Sequence, residues 1–129
     1  MHIKKSELSA FEMLTARSDF ITVQKKGQKW VSHGLILQVR DHDDSEVIRT
    51  GFTVSKKVDK SAVKRNRIKR RLRSVAADIL SQYAKPGVDY VLVGRKMTAT
   101  RPYRDVCNDL KWCLKKTGYY EKNENKIQK

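Results

Sequence analysis

Between Ser61 and about Tyr83, apolar residues recur at intervals of three and four positions. This spacing predicts one buried face of a helix about six turns long. Such a helix needs another layer of secondary structure to cover its apolar stripe. The stripe consists of Ile68, Leu72, Val75, Ala76, Ile79 and Tyr83.

The remaining segments predict strands and two more helices. Segments 34–40 and 47–55 are rich in β-branched and aromatic residues, and the polar "DHDDS" between them predicts that they form a hairpin. A third strand starts at Val88. A short helix is expected with Ser18 as N-cap and Gly27 as its stop, and an amphipathic helix follows with Pro102 in its first turn. The order α-β-β-α-β-α predicts an α+β fold in which a small mixed β-sheet packs with about three helices.

The length of 129 residues fits one domain. We expect this domain to span residues 14–118. Residues 1–13 form an N-terminal extension in this prediction, and the polar residues 119–129 form a disordered tail.

The charge is concentrated in one segment. The chain carries a net charge of +15, and Lys56–Arg73, termed here the basic run, holds ten Lys or Arg with Asp59 as its single acid. Such a patch favours a polyanion, either nucleic acid or an anionic membrane. No apolar run approaches the roughly 18 residues that span a bilayer, and the first residues lack a signal-peptide core. We therefore expect a cytoplasmic protein with no membrane partner.

A charge run of mixed sign usually forms a solvated helix face. Here like charges four positions apart repel, which weakens the helix by a few tenths of a kcal/mol per pair. A phosphate backbone that neutralises the run explains it better. Arg65 falls within the apolar stripe, so we expect it to point into a groove beside an anion or carboxylate. The candidate RNA-binding residues are Lys56, Lys57, Lys64, Arg65, Asn66, Arg67, Lys69, Arg70, Arg71 and Arg73.

RNA is favoured over DNA because the sequence shows no helix-turn-helix, zinc-finger or zipper pattern. Possible chemistry is limited to one acidic cluster, Asp41, Asp43, Asp44 and Glu46. This cluster could bind magnesium, although Asp is also favoured in turns. Cys107 and Cys113 have no metal-ligand spacing and are expected to be buried as small apolar residues. The residues thus predict a binding protein without catalytic residues, a metal site, a cofactor or a small-molecule substrate.

The segment "RTGFTVSKKV", followed by "KRNRIKRRLR", resembles the signature of the bacterial ribonuclease P protein component. The resemblance continues through "LTARSDFITVQKKG" upstream and "DYVLVGR" and "RPYRDV" downstream, and covers about residues 14–116. It implies a ribosomal protein S5 domain 2-like sandwich with a left-handed crossover helix.

The resemblance also implies a function and a partner. The protein would bind a catalytic RNA, one copy to one, and help this RNA remove the 5′ leader of precursor tRNA with magnesium ions held mainly by the RNA. A cleft between the sheet and the first helix would hold the leader, with Phe20 and Ile36 at matching positions. Some relatives carry aromatic residues where this chain has Gln24 and Gln38, so hydrogen bonds from these glutamines are expected to replace stacking.

Two other hypotheses remain open from the sequence. A general RNA-binding or ribosomal-type protein would bind unrelated structured RNAs with comparable affinity. A self-sufficient metal nuclease would depend on Asp41, Asp43 and Asp44.

RNA binding should depend strongly on salt. If about five cations of the basic run contact phosphates, raising the salt from about 50 to 200 mM should weaken binding by roughly 10²- to 10³-fold, because counterions are released. A filter-binding titration at several salt concentrations measures this dependence. An affinity that does not change with salt would contradict phosphate contacts by the basic run.

Overall fold

A computed structural model describes residues 11–42 and 47–122 of the chain. The elements follow the order β-α-β-β-β-α-β-α-α. The strands are β1 Phe11–Met13, β2 Gln28–Val31, β3 Leu35–Asp41, β4 Ile48–Thr53 and β5 Val88–Gly94. The helices are α1 Arg17–Lys26, α2 Ala62–Tyr83, α3 Lys96–Thr100 and α4 Tyr103–Thr117. The α+β prediction is confirmed.

The five strands form one sheet in the order β1-β4-β5-β3-β2. Strand β5 is parallel to β4 and antiparallel to β3. It takes the central place because it is apolar nearly throughout and is buried on both faces of the sheet. Helix α2 connects the adjacent parallel strands β4 and β5. The left-handed sense of this crossover stays a prediction.

The predicted hairpin between the strands now labelled β3 and β4 is wrong, because β5 lies between them. The backbone at the two ends of their connection bonds to Gly87: His42 N–H donates to Gly87 O, and Gly87 N–H donates to Val47 O. The two ends also meet through the His42 side chain, whose Nε2 lies 3.1 Å from Val47 O. Gly87 adopts a φ of 78°, which favours glycine. The hairpin partner of β3 is β2, a strand that the sequence pattern missed because three of its four residues are exposed.

Helices α2 and α4 cover one face of the sheet and form the larger core. Ile68, Leu72 and Val75 of α2 pack there with Tyr90 and Leu92 of β5. Helix α1 covers the opposite face with a smaller cluster of Leu14, Val23 and Val91, against which Phe20 and Val93 pack. The sheet therefore has a helix layer on each side.

The predicted starts of two helices need correction. The N-cap of α1 is Ala16 instead of Ser18, whose backbone carbonyl accepts a bond from Thr22 Oγ1 inside the helix. Pro102 is the N-cap of α4 and precedes its first turn. Strand β1, within the expected extension, pairs with β4, and Tyr120 bridges to Ala84. Residues 123–129 lie outside the described part of the chain.

Cys107 and Cys113 are buried free thiols, as expected. Burial raises the pKa of the Cys113 thiol to about 11 and also raises the pKa of the Cys107 thiol. Both thiols are therefore neutral near pH 7. They contribute to the packing of α4 as small apolar groups.

The carboxylate of Asp89, which is 1% exposed, organises one end of the sheet. Arg49 donates two hydrogen bonds to it, at 2.7 and 2.8 Å. This pairing raises the pKa of the Arg49 guanidinium. Arg40 and His42 each lie 3.6 Å from the same carboxylate. The cluster links β3, β4 and β5 at one end.

Asp89→Asn should destabilise the protein because it leaves Arg49 without its charge partner. The expected loss is about 2–3 kcal/mol, below the roughly 3–5 kcal/mol of a fully buried pair, because the Arg49 side chain is 27% exposed. Arg40→Gln is the control and should cost less than about 1 kcal/mol, since that pair is longer and partly solvated. Denaturant unfolding measures the free energy of unfolding of both variants. Equal losses would contradict the conclusion that Arg49 is the main partner of Asp89.

Candidate nucleic-acid interface

The start of α2 is fixed by its own sequence. The Asp59 carboxylate accepts a hydrogen bond from Ser61 N–H, and Ser61 Oγ accepts one from Lys64 N–H. The only acid of the basic run is thus turned toward the helix start. It makes no salt bridge with the lysines and arginines around it in the described structure.

Arg65 closes the loop in front of α2. Its Nη1 donates hydrogen bonds at 2.9 Å to the carbonyl oxygens of Asp59 and Lys60. No carboxylate among the described residues pairs with Arg65, and its expected place in a groove beside an outside anion stays a prediction. The two carbonyls use the donors of Nη1 and so tie the loop to the first turn, and the guanidinium has three further N–H donors.

Burial of Ile68 and Leu72 orients α2 on the sheet and turns most of the basic run toward solvent. No acid occupies the first turn of α2, so the positive end of the helix dipole adds to the positive side chains. None of the candidate RNA-binding residues forms a salt bridge within residues 11–42 and 47–122. The exposed members are Lys56, Lys57, Lys64, Asn66, Arg67, Arg70 and Arg73.

Two arginines of the run contact aromatic rings. Arg71 lies 5.8 Å from the ring centre of Tyr103, and its Nη1 donates to the carbonyl of Thr98. Arg71 thus ties α2 to the short helix α3 and the start of α4. Arg73 lies 5.7 Å from the ring centre of Phe52 on β4 and stays exposed. Its charge remains available to an outside anion.

A groove of about 660 Å³, termed here the cleft, lies between α1, the sheet and α2. Phe20, Gln24 and Gln38, which the resemblance assigns to the leader, all line it. Lys69 and Arg73 of the basic run line the same groove. Ile36 does not line the cleft and instead contributes to a separate depression beside Lys57, Val58 and Met97. The other lining residues, which sequence reasoning missed, are Met13, Leu14, Thr15, Arg17, Phe52, Thr53 and Val93.

Gly51 lets the Phe20 ring lie directly on strand β4. A Cβ atom added at Gly51 would stand 2.7 Å from Cε1 and 2.8 Å from Cζ of Phe20. No side chain other than hydrogen fits there without moving the ring. In the sequence this glycine precedes Phe52 in "RTGFT", but nothing local to that motif indicates its contact with α1.

The acidic cluster falls partly outside the structure. Asp41 lies at the end of β3, whereas Asp43, Asp44 and Glu46 lie outside the described residues. Among the residues that the structure covers, no three His, Cys, Asp or Glu side chains are close enough to hold a metal ion. No helix in the same residues has the length and apolar character needed to cross a membrane.

Replacement of Arg65 tests whether this arginine stabilises the fold, in contrast to the exposed arginines of the basic run. Arg65→Met should lower the free energy of unfolding by about 1–2 kcal/mol, because both carbonyl bonds from a charged donor are lost. Arg67→Met and Arg70→Met serve as controls and should stay within about 0.5 kcal/mol, since both side chains are exposed. Thermal and denaturant unfolding measure the difference. A similar loss in all three variants would contradict the distinction.

Comparison with known proteins supplies the family. The family model described as Ribonuclease P matches residues 8–118. The ribonuclease P protein component of Paramagnetospirillum magneticum is 43% identical over 115 residues, which cover 86% of both chains. That of Ruegeria pomeroyi is 42% identical over 110 residues, covering 84% of this chain and 87% of the relative.

Solved structures share the fold. The RNase P protein from Thermotoga maritima superposes with a TM-score of 0.69 at 25% identity, covering 81% of this chain and 96% of that one. The Staphylococcus aureus RNase P protein gives 0.69 at 24% identity over 84% and 97% of the two chains. From the family model and the relatives above 40% identity, we conclude that the chain belongs to the ribonuclease P protein family, whose members are the protein components of the ribonucleoprotein endoribonuclease that processes tRNA 5′ ends.

Proposed function

We propose that this chain binds the RNA subunit of ribonuclease P through the exposed cations of α2 and holds the 5′ leader of precursor tRNA in the cleft. One observation carries the proposal: Lys69 and Arg73 line the same groove as Phe20, Gln24 and Gln38. A single RNA strand in the cleft would therefore lie beside the helix that binds the RNA subunit.

The charge state of α2 supports RNA binding. Its exposed cations have no carboxylate partner in the described structure, so they keep their full charge toward an outside ligand. Arginine forms paired hydrogen bonds with phosphate oxygens, and lysine adds point charges. Lys56 and Lys57, in the loop before α2, extend this surface past the N-terminus of the helix.

The residues that line the cleft are suited to bind a single RNA strand with little sequence preference. Phe20 offers one aromatic face, and base stacking on such a face tolerates any base. The side-chain amides of Gln24 and Gln38 can donate and accept hydrogen bonds with base edges. We therefore expect the cleft to position leaders of different sequence.

Cleavage itself is assigned to the RNA. In this proposal one protein associates with one RNA in the cytoplasm, and the RNA holds the magnesium ions that act on the phosphodiester. The protein's part is to neutralise phosphates and to fix the leader relative to the cleavage site, which lowers the entropic cost of productive binding. A general RNA-binding role is the alternative, and it predicts no dependence on a leader.

Phe20→Leu tests the leader assignment. Leucine keeps apolar contact with Leu14 and Gly51 but removes the aromatic face. The affinity of the reconstituted holoenzyme for precursor tRNA should fall about tenfold, because stacking of one base is worth about 1–3 kcal/mol. Equilibrium binding in calcium, which slows cleavage, measures this affinity.

Mature tRNA without a leader is the matched ligand control, and its affinity should be the same for the variant and the unaltered protein. An equal loss of affinity for both ligands would mean that Phe20 does not act through the leader. If the affinity for neither ligand falls, Phe20 does not contribute to leader binding.

A further inference from the structure

A second group of lysines surrounds the C-terminal half of α4 and is separate from the basic run. Lys111 and Lys115 each lie 5.0 Å from an aromatic ring centre, over Tyr83 and Tyr120 respectively. These two rings stack on each other with centres 5.1 Å apart and planes 11° apart. Two further pairs flank them, Lys85 over Tyr119 at 5.4 Å and Lys116 over Trp112 at 5.5 Å. We call these eight residues the lysine–aromatic surface.

The rings hold the ammonium groups in place without neutralising them. A carboxylate partner would cancel the charge, whereas an aromatic face attracts a cation through its quadrupole and leaves the net charge intact. None of the four lysines takes part in a salt bridge within the described part of the chain. The surface therefore presents positioned cations without a direct ion pair, and Glu121, whose N–H donates to Tyr83 O, is the acid that follows Tyr120 in the chain.

Helix stability alone explains only part of this arrangement. Lys115 and Lys116 lie in the last turn of α4, where cations favour the helix dipole. Lys111 lies before that turn, and at four positions from Lys115 it repels that residue. Lys85 lies outside α4, in the connection before β5. A ligand outside the protein would explain why these charges are gathered together.

The surface lies far from the N-terminal half of α2. Tyr83 is the last residue of α2, about 28 Å along the helix axis from Lys64 at 1.5 Å per residue. The RNA contacts proposed for the basic run therefore do not cover this end of the molecule. A second and independent stretch of ligand is required to reach it.

An anionic membrane fits this surface poorly. The apolar face of α4 is already buried in the core through Val106, Leu110, Cys113 and Leu114. A helix that binds a membrane surface needs such a face free for the lipid. Aromatic rings set among lysines are typical of surfaces that bind single-stranded nucleic acid.

We propose that the lysine–aromatic surface binds a second segment of RNA through its phosphate backbone, without reading its sequence. Each ring fixes an ammonium group, and each ammonium group contacts one phosphate. With the basic run at the other end of α2, the protein then clamps two RNA segments that lie on opposite ends of one helix.

The test uses the full chain with the double variant Lys111→Gln/Lys115→Gln, and an oligouridine single strand as the probe. Loss of two phosphate contacts should reduce the slope of log affinity against log salt by about 1.4, at roughly 0.7 per phosphate on a single strand. The same reduction is expected in the background Arg67→Gln/Arg70→Gln, which weakens binding by the basic run. This second background keeps the outcome independent of the function proposed for α2.

Lys25→Gln/Arg104→Gln is the matched control. It removes the same charge from two exposed side chains that lie over no ring among the described aromatic contacts. The control should change the slope by less than half as much. Lys111→Arg/Lys115→Arg keeps both charges and should have the slope of the unaltered protein. Equal changes for both Gln pairs would overturn the proposal, since net charge alone would then explain them.

Two further results would also overturn it. If oligouridine binding is unchanged in Lys111→Gln/Lys115→Gln, RNA is not the ligand, and an acidic protein becomes the candidate occupant. If the same variant loses sedimentation with phosphatidylglycerol vesicles but keeps oligouridine binding, the surface is a membrane contact.

Discussion

Apolar packing of α2 against the sheet holds in place a helix that its own charges oppose. Burial of side chains such as Ile68, Leu72 and Val75 is worth about 1.5–3 kcal/mol each. Repulsion between like charges four positions apart costs only a few tenths of a kcal/mol per pair. The packing outweighs the repulsion by a wide margin, so the protein can keep a dense cationic face in the absence of RNA.

This balance gives the exposed cations a fixed geometry before any ligand arrives. Ser61 and Arg65 define where α2 begins, and Arg71 ties its middle to α3 and α4. The remaining cations then project from a rigid helix toward solvent. A preorganised cationic surface loses little conformational freedom on binding, which favours tight association with phosphates.

Local pattern predicted three of the four described helices but not the short α3, and it predicted the strand pairing poorly. The limits of α2 follow from an apolar repeat whose residues lie in consecutive turns of one helix. Pairing depends on distant segments: "DHDDS" between two strands suggested a hairpin, yet the apolar strand β5, which follows α2 in the chain, lies between them. Strand β2 escaped notice because Gln28, Lys29 and Val31 are exposed at the sheet edge and show no apolar alternation.

The candidate site also combines features that local sequence predicts with features that depend on distant segments. The basic run is visible in the sequence because its residues are neighbours in the chain. The contact of Phe20 with Gly51, and the partners of Arg65, depend on how the chain folds back on itself. Arg65 has the same chemistry as Arg67, but only the structure distinguishes the arginine that closes a loop from the one that faces solvent. Phe20, Gln24 and Gln38 came from the family resemblance, and their convergence in one cleft depends on the packing of α1 over β3.

The central claim is that the protein acts by binding RNA and that the RNA carries out the cleavage. The most direct test is cleavage of a precursor tRNA at low magnesium by three samples: the protein alone, the ribonuclease P RNA of the same organism alone, and both together. Cleavage at the mature 5′ end that appears or accelerates only when both are present is the predicted result. Cleavage by the protein alone, or no effect of the protein on the RNA, would contradict the claim.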